Sequence, residues 1–436
     1  MNDLLHALAR WNRWGNAALR SGFPRDVVPS LLPFLDTPEV VGLVGPRRAG
    51  KSTVLVQVMD ALEARGLPRE AMLHVNAEEP GLAEHLDPRL LDRVYETYRR
   101  EVNPRGRAWL FLDEVQVIPQ WERWVRARNE TEDIKVFVTG SSSALLSREL
   151  GTLLTGRHVT FEVWPLSFAE LLRVRGLALP ARPDLVPTPP DVQRALLDYL
   201  QWGGFPEVVL ADDDDRRDAL LRQYFDDVLF KDVAMRHAVR DLPALRAAAV
   251  HLLTNTASLV SANRLAAQLD VSVDLAKQFC TYLEEAFLVT FLPFFSLKLG
   301  ERRRRPQKVH AVDTGLRNAV CLSGTPDRGR LLESAAVAEL RRGRHDGLFY
   351  WKGKGEVDVV VRRGNDAARL VQVTWGGEMS PDALKREAAA LTEAQEVFPG
   401  AERVCVVGED VGSLATFEER PLDVERFVTM GSRGQS

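Results

Sequence analysis

The sequence has little cysteine, no long apolar run and no marked excess of charge of either sign. Only three cysteines occur in 436 residues, Cys280, Cys321 and Cys405, odd in number, far apart and embedded in apolar sequence. That excludes a disulfide framework and leads us to expect buried, reduced thiols in a cytosolic protein. The eight histidines form no i, i+3 or i+4 pair and have no cysteine nearby, so a zinc site has little support. The longest apolar stretch, 287–295, contains Thr290 and Pro293, and it falls far short of the roughly 18 residues a membrane span needs. No apolar core follows the N-terminal charges, so neither a secretory leader nor a membrane contact is expected, and a cytoplasmic location is. Net charge is −4, from 57 Lys+Arg against 61 Asp+Glu. Such a balance exerts no global pull toward nucleic acid, and any DNA contact must come from a local patch.

What is present begins with Gly45-Pro46-Arg47-Arg48-Ala49-Gly50-Lys51-Ser52, followed by Thr53. It lies between the apolar run 40–44 and an apolar helical stretch, 54–62, and fits G-x-x-x-x-G-K-[ST]. Glycines let backbone N–H groups wrap phosphate oxygens where a helix N-terminus favours negative charge. Residues Gly45 through Thr53 are therefore expected to cradle ATP, with Lys51 neutralising the β- and γ-phosphates and Ser52 holding Mg2+. A later apolar strand, 109–112, delivers Asp113 and Glu114 to its C-terminal end, where ligands bind in open α/β sheets. Asp113 suits support of the metal, and Glu114 suits activation of the attacking water as a general base. Strand 136–139 leads into Gly140-Ser141-Ser142-Ser143 at the same edge. Ser141, then Ser142, is expected to sense the γ-phosphate or the lytic water, an ordinary helix N-cap being the alternative. Beyond it stand Arg148 and Arg157, either surface arginines or groups that stabilise transition-state charge on a neighbouring subunit's nucleotide.

At this length two to four domains are expected. Residues 1–36 read as amphipathic helix pieces with Trp11 and Trp14 on one side, packed against the domain that begins at 37. From 37 to 165, apolar strands at 40–44, 72–75, 109–112, 135–139 and 159–163 alternate with helices, the pattern of a parallel sheet covered on both faces. Residues 166–240 are mostly helical, broken by a Pro-rich linker at 180–190, a Gly203-Gly204-Phe205-Pro206 turn and an acidic run, 212–215, read as a solvated loop. Helices at 244–254, 262–269 and 273–286, with Asp270-Val271-Ser272 as the turn, suggest a helix-turn-helix. Strands at 287–295 and 308–312 then flank a wing-like loop, 300–306; a helical bundle touching only protein is the alternative. Arg302, Arg303, Arg304 and Arg305, with Lys308, form the densest cationic segment. In a wing they would contact DNA phosphates with salt-dependent, largely sequence-independent affinity, or else meet an acidic protein face. Lys277 lies on the recognition helix with few other polar readers and with Asp274 nearby, which argues against strong base-specific readout. From 328 onward, α/β character resumes with a helix at 331–342 and strands at 348–351, 357–361, 370–374 and 403–407.

Gly45 to Ser52, Leu112-Asp113-Glu114-Val115-Gln116, Thr139-Gly140-Ser141-Ser142-Ser143, Gly156-Arg157, Pro165-Leu166-Ser167-Phe168-Ala169-Glu170 and Gly203-Gly204-Phe205-Pro206-Glu207 stand together in this chain. The combination resembles the AAA-type ATPases of archaea and bacteria with a C-terminal endonuclease-like domain, over nearly the whole length. The resemblance implies an α/β fold: an N-terminal helical segment (1–36), a P-loop, AAA-type parallel-sheet core (37–165), a helical lid (166–240), a winged helix (241–312) and a restriction-endonuclease-like α/β domain (328–436). It marks Arg157 as a finger or sensor arginine. It also implies a homo-hexameric ring that uses ATP and Mg2+ to translocate on or remodel DNA, branched or forked forms included. A regulatory switch that binds protein or DNA without translocating is the second reading, and an ATP-dependent nuclease the third. The C-terminal domain departs from the family's pattern. Glu333 opens the helix and Glu356-Val357-Asp358 is intact, but the next strand reads Gln372-Val373-Thr374 in place of Glu-Val-Lys. A neutral amide and a hydroxyl cannot replace a metal-binding carboxylate and an ammonium, so loss of nuclease chemistry is expected.

Overall fold

Four apolar runs, at 40–44, 72–76, 108–113 and 134–140, become parallel strands buried along nearly their whole length, as expected of a sheet covered on both faces, and a fifth parallel strand at 158–162 alternates polar and apolar residues and is partly exposed. In the computed structural model, which describes residues 2–15, 18–141, 157–179, 187–321, 327–343, 345–364, 366–375, 381–408 and 423–430, the chain divides into two units, 1–164 and 165–436. The first unit runs α1 (Asn2–Ala9), β1 (Val40–Val44), α2 (Lys51–Ala64), β2 (Met72–Asn76), α3 (Leu90–Glu101), β3 (Ala108–Asp113), α4 (Trp121–Thr131), β4 (Ile134–Gly140) and β5 (His158–Glu162). Its sheet order is β2-β3-β4-β1-β5, parallel throughout. Val41, Leu43, Val54, Val58, Met59, Phe111 and Phe137 share one core, with the Phe111 and Phe137 rings stacked 5.1 Å apart.

The N-terminal segment packs on this sheet at its β2 edge. Asn12 pairs with His74 in the manner of a neighbouring strand, its Oδ1 accepting from His74 N at 2.7 Å and its Nδ2 donating to His74 O at 2.7 Å. Trp14 Nε1 donates to Met72 O at 3.2 Å, and Trp11 Nε1 to Glu79 Oε2 at 2.6 Å.

The second unit contains α5 (Phe168–Val174), α6 (Pro190–Trp202), α7 (Asp214–Asp227), a π-helical stretch (Val228–Ala234), α8 (Leu242–Thr254), β6 (Ser258–Val260), α9 (Ala262–Leu269), α10 (Val273–Glu285), β7 (Val289–Leu292), α11 (Leu299–Arg304), β8 (Gln307–Ala311), α12 (Thr314–Val320), α13 (Arg328–Arg342), β9 (Gly347–Lys352), β10 (Glu356–Arg363), β11 (Asp366–Thr374), α14 (Pro381–Val397), β12 (Glu402–Val407) and β13 (Asp423–Arg426). A three-stranded antiparallel sheet, β6-β8-β7, and a five-stranded mixed sheet, β13-β12-β11-β10-β9, organise it. Three details differ from the sequence reading. Helices α5 and α6 bury Phe168, Leu171, Leu196 and Tyr199 in one core with Leu332, Val371 and Phe427, so the lid assigned to 166–240 is built into the second unit. The acidic run is a helix start: Asp213 accepts from Arg216 N at 3.0 Å, and Asp214 and Asp215 occupy the first turn of α7, where carboxylates suit the helix dipole. The expected wing loop is largely helical, as α11. Cys321 and Cys405 are buried and Cys280 half-buried, all three free. No helix among the described residues is long and apolar enough to cross a membrane.

The Gly203-Gly204 turn shows why its residues are glycines. Gly203 has φ +74°, and a Cβ there would lie 2.0 Å from Asp313 Oδ1. The space belongs to the Asp313 carboxylate, which caps α12 by accepting from Leu316 N at 3.1 Å and also holds Gly204 N at 2.8 Å. Burial pushes Asp313 up to about 6, against the downward pull of those N–H groups and that of Gly315. A carboxyl raised on folding contributes stability that is fully present below its unfolded value, about 4, and lost as pH rises through its folded value. The wild type should therefore lose up to about 3 kcal/mol relative to Asp313→Asn between about pH 4 and pH 7, as read from denaturant midpoints. A pH-independent difference would contradict this assignment.

Candidate nucleotide site and basic surface

The end of β1 feeds a loop whose backbone only glycine tolerates at its ends. Gly45 has φ +152°, with an added Cβ 2.0 Å from Val163 O, and Gly50, at φ 92° and ψ 28°, caps the N-terminus of α2. Lys51 is the first residue of that helix and is 4% exposed. Its ammonium donates to Gly45 O and Pro46 O, both at 3.1 Å, and stands 3.6 Å from Glu114 Oε1. Arg25 braces the loop from the segment before β1. Its buried guanidinium donates to Ala49 O at 2.7 Å and to Trp164 O at 2.6 Å. Arg47 is drawn to Glu78 at 3.2 Å.

Strand β3 ends by placing Asp113 and Glu114 beside this loop. Asp113 is buried; the Thr139 hydroxyl donates to its Oδ1 at 2.5 Å. His74 Nε2 lies 3.9 Å from its Oδ2, an electrostatic rather than a hydrogen-bonded separation. Burial alone would raise the Asp113 carboxyl, but His74, Ser52 and Thr139 favour its anion and hold it below the usual carboxylate range. Glu114 adopts the left-handed backbone conformation, φ 49° and ψ 44°. That turn separates its carboxylate from that of Asp113 and directs it toward Lys51. Gln116 Nε2 donates to Glu114 Oε2 at 2.6 Å, and Glu114 N donates to Thr139 Oγ1 at 2.8 Å.

The structure thus brings Lys51, Asp113 and Glu114 together, with Ser52 close enough to act on Asp113. The hydroxyl that links the acidic pair is Thr139; Ser141, the expected sensor, is fully buried two residues later. Ser142, Arg148 and the stretch 151–156 lie outside the described residues. Thr139, His74 and Arg25 were not singled out from sequence. Thr139 had a signal, as the last polar residue on an apolar strand reaching the ligand edge, whereas nothing local marks Arg25.

Residues 37–172 match the family model of the AAA domain. The first unit has the parallel-sheet core of an AAA domain. A second model, a domain of unknown function (DUF8612), matches residues 193–328. An uncharacterized protein of Methanocaldococcus jannaschii is 29% identical over 379 residues, 85% of this chain and 81% of that protein. One from Haemophilus influenzae is 28% identical over 351 residues, 79% of this chain and 84% of its own. Among solved structures, the ORC2 protein of Aeropyrum pernix in its ADP form aligns with 73% of this chain and 93% of its own, at 11% identity and TM-score 0.35. The ORC1 protein of the same organism, in complex with DNA, aligns with 67% of this chain and 90% of its own, at 15% identity and TM-score 0.28.

Within the AAA core, Arg157 lies at the opposite end of the sheet from the phosphate loop. It precedes β5, whose register pairs Val40 with His158 and Val44 with Glu162. Its exposed guanidinium pairs with Glu130 at 2.7 Å on the wall of a cleft of about 510 Å³ formed with Pro38, Glu39 and Asn129. The arginine is thereby displaced from its own nucleotide loop by about five strand residues, about 16 Å.

The basic surface is smaller than its sequence suggests. Lys277 is exposed on α10, 3.4 Å from Asp274. Arg302 donates to Ser296 O at 2.7 Å and lies 5.0 Å from the Phe349 ring centroid. Arg305 lies 4.8 Å from the Phe294 ring centroid and 3.6 Å from Glu301. Arg304 Nε donates to Gly300 O at 3.0 Å, and Arg303 and Arg304 both face solvent. Lys308 corrects the sequence reading outright. It is 2% exposed and its ammonium is enclosed by Glu333, Glu356 and Asp358 at 2.7, 2.9 and 2.8 Å, so it is no phosphate contact.

Thr139→Val removes the hydroxyl that serves both acidic residues and leaves the Glu114 N–H without that acceptor. ATP turnover should fall at least about tenfold, the equivalent of one lost buried hydrogen bond, with nucleotide affinity changed far less. Turnover at the wild-type level would remove Thr139 from the site.

Proposed function

We propose that this chain is an ATP hydrolase that couples turnover to DNA and works as a ring of like subunits, translocating on or remodelling DNA, branched or forked forms included. The observation that carries the hydrolase reading is the convergence of Lys51, Asp113, Thr139 and Glu114 beside one glycine-bounded loop. Lys51 takes the charge of the phosphates. Glu114, steadied by Gln116 and facing Lys51, accepts the proton of the water that attacks the γ-phosphate. Asp113 and Ser52 fit Mg2+, since one is a carboxylate held as its anion and the other is an exposed hydroxyl that favours that anion. Bound there, the metal would screen the charge of the phosphate oxygens. Thr139 fixes the direction of Asp113 and the backbone of Glu114 at the same time.

The DNA reading is supported by the element order α8-β6-α9-α10-β7-β8 around the sheet β6-β8-β7, the arrangement of a winged helix. Arg303 and Arg304 on α11 and Lys277 on α10 offer solvent-facing cations for phosphates, with little provision for reading bases. A multi-subunit state, a hexamer by resemblance, is supported by Arg157, whose place at the far edge of the sheet suits a neighbour's nucleotide rather than its own.

Glu114→Gln should bind ATP close to normally yet lose at least about 99% of turnover, since a positioned general base contributes about 10²–10⁴ in rate. Turnover that survives this change removes Glu114 as the base, and a wild type that turns over no ATP sinks the hydrolase reading. Replacing Arg303 and Arg304 together with alanine should weaken binding to duplex and forked DNA alike and reduce the slope of log affinity against log salt by roughly 2. An unchanged slope would move DNA contact off this surface.

A further inference from the structure

The endonuclease-like resemblance implies a divalent metal held by Glu333, Asp358 and the residues of the next strand. The side chains present do not fit it. Glu333 Oε1, Glu356 Oε1 and Asp358 Oδ1 converge on the Lys308 Nζ at 2.7, 2.9 and 2.8 Å. These are charge-assisted ammonium-to-oxygen distances, so the point on which the carboxylates converge is filled by the ammonium. Other acceptors have partners elsewhere: Asp358 Oδ2 accepts from Val373 N at 2.9 Å, Gln372 Oε1 from Asp358 N at 3.3 Å, and Glu356 Oε2 from Lys352 Nζ at 3.4 Å. Gln372 Nε2 donates to Glu387 Oε2 at 2.5 Å.

Lys308 arrives from outside the mixed sheet. It belongs to β8, and the strand's alternation carries His310 to the same side, its Nε2 fully buried 3.8 Å from Glu333 Oε1. Burial and the neighbouring Lys308 charge drive His310 well below its ordinary value. The imidazole therefore adds no positive charge, and the Lys308 ammonium is the cation shared by the three carboxylates, with Lys352 pairing at 3.4 Å with the outer oxygen of Glu356 alone. The seam around it is tied by Tyr350 Oη donating to Pro306 O at 2.6 Å, Phe295 N to Tyr350 O at 2.8 Å, and the Thr256 and Ser334 hydroxyls 2.7 Å apart.

We propose that the carboxylate site of the mixed sheet takes the chain's own Lys308 ammonium in the place of a divalent cation, and that removing this ammonium opens a hard divalent-cation site formed by Glu333, Glu356 and Asp358. The lysine missing at Thr374 is thus answered by one from β8, which displaces the metal instead of assisting it. The inference is independent of the ATP reading.

The test uses the full chain without nucleotide and Mn2+ alone as the probe, titrated calorimetrically into the wild type, Asp358→Asn, Lys308→Ala, and Lys308→Ala combined with Asp358→Asn. Lys308→Ala is expected to bind one Mn2+ more than the wild type, the double variant is expected to lose it, and Mn2+ should raise the melting temperature of Lys308→Ala without affecting the wild type. A wild-type Mn2+ site removed by Asp358→Asn overturns the proposal, as does a Lys308→Ala variant that gains none. Should Lys308→Ala fail to fold, Lys308→Met prepared with and without Mn2+ carries the test. Folding rescued by the metal supports the proposal, and folding indifferent to it overturns the proposal.

Discussion

A lysine ammonium removed from water has to be surrounded by oxygen, and each unit of this chain meets that requirement at a chemically dense point. In the first unit the oxygens are two backbone carbonyls of the phosphate loop with Glu114 just beyond. In the second they are three carboxylates from α13 and β10. The difference in partner decides the difference in use. Carbonyls hold an ammonium weakly enough that phosphate oxygens can compete for it, whereas three carboxylates, those of Glu333 and Asp358 buried and that of Glu356 half-buried, bind it as a structural counter-ion. Breaking a buried charged pair by removing one partner costs about 3–5 kcal/mol, so Lys308 fastens β8 to the mixed sheet.

Much of this arrangement was legible in the sequence. Apolar runs without alternation located β1, β3 and β4, and a glycine-bounded lysine loop between strand and helix located the nucleotide site. The acidic pair followed because β3 ends where it had to. Lys308 was misread because four arginines precede it, and a run of cations looks like a surface in one dimension. The signal that separates it is the short alternation Lys308-Val309-His310-Ala311. Val309 and Ala311 join the apolar core around α8 and α10, which obliges Lys308 and His310 to face the other way. The packing of α5 and α6 was not legible either, since an apolar helix face states that it will be covered and not by what.

Family boundaries and physical boundaries diverge in the same region. The match to the domain of unknown function ends at residue 328, where α13 begins. Yet Leu332, Ala335 and Ala336 of α13 share a core with Leu171, Leu196 and Leu200. The helical segment, the three-stranded sheet and the mixed sheet are therefore one folding problem, and the carboxylates that receive Lys308 come from the far side of the sequence boundary.

The amide of Asn12 has a consequence for how copies of the first unit can meet. By occupying both backbone groups of His74, with Trp14 covering the carbonyl of Met72, the N-terminal segment spends the bonding capacity that an open sheet margin otherwise offers to any passing strand. Growth of the sheet from one molecule into the next is closed off along that margin. Association there has to be written in side-chain chemistry, which can be made and broken in step with a nucleotide, rather than in a continuous ladder of backbone hydrogen bonds.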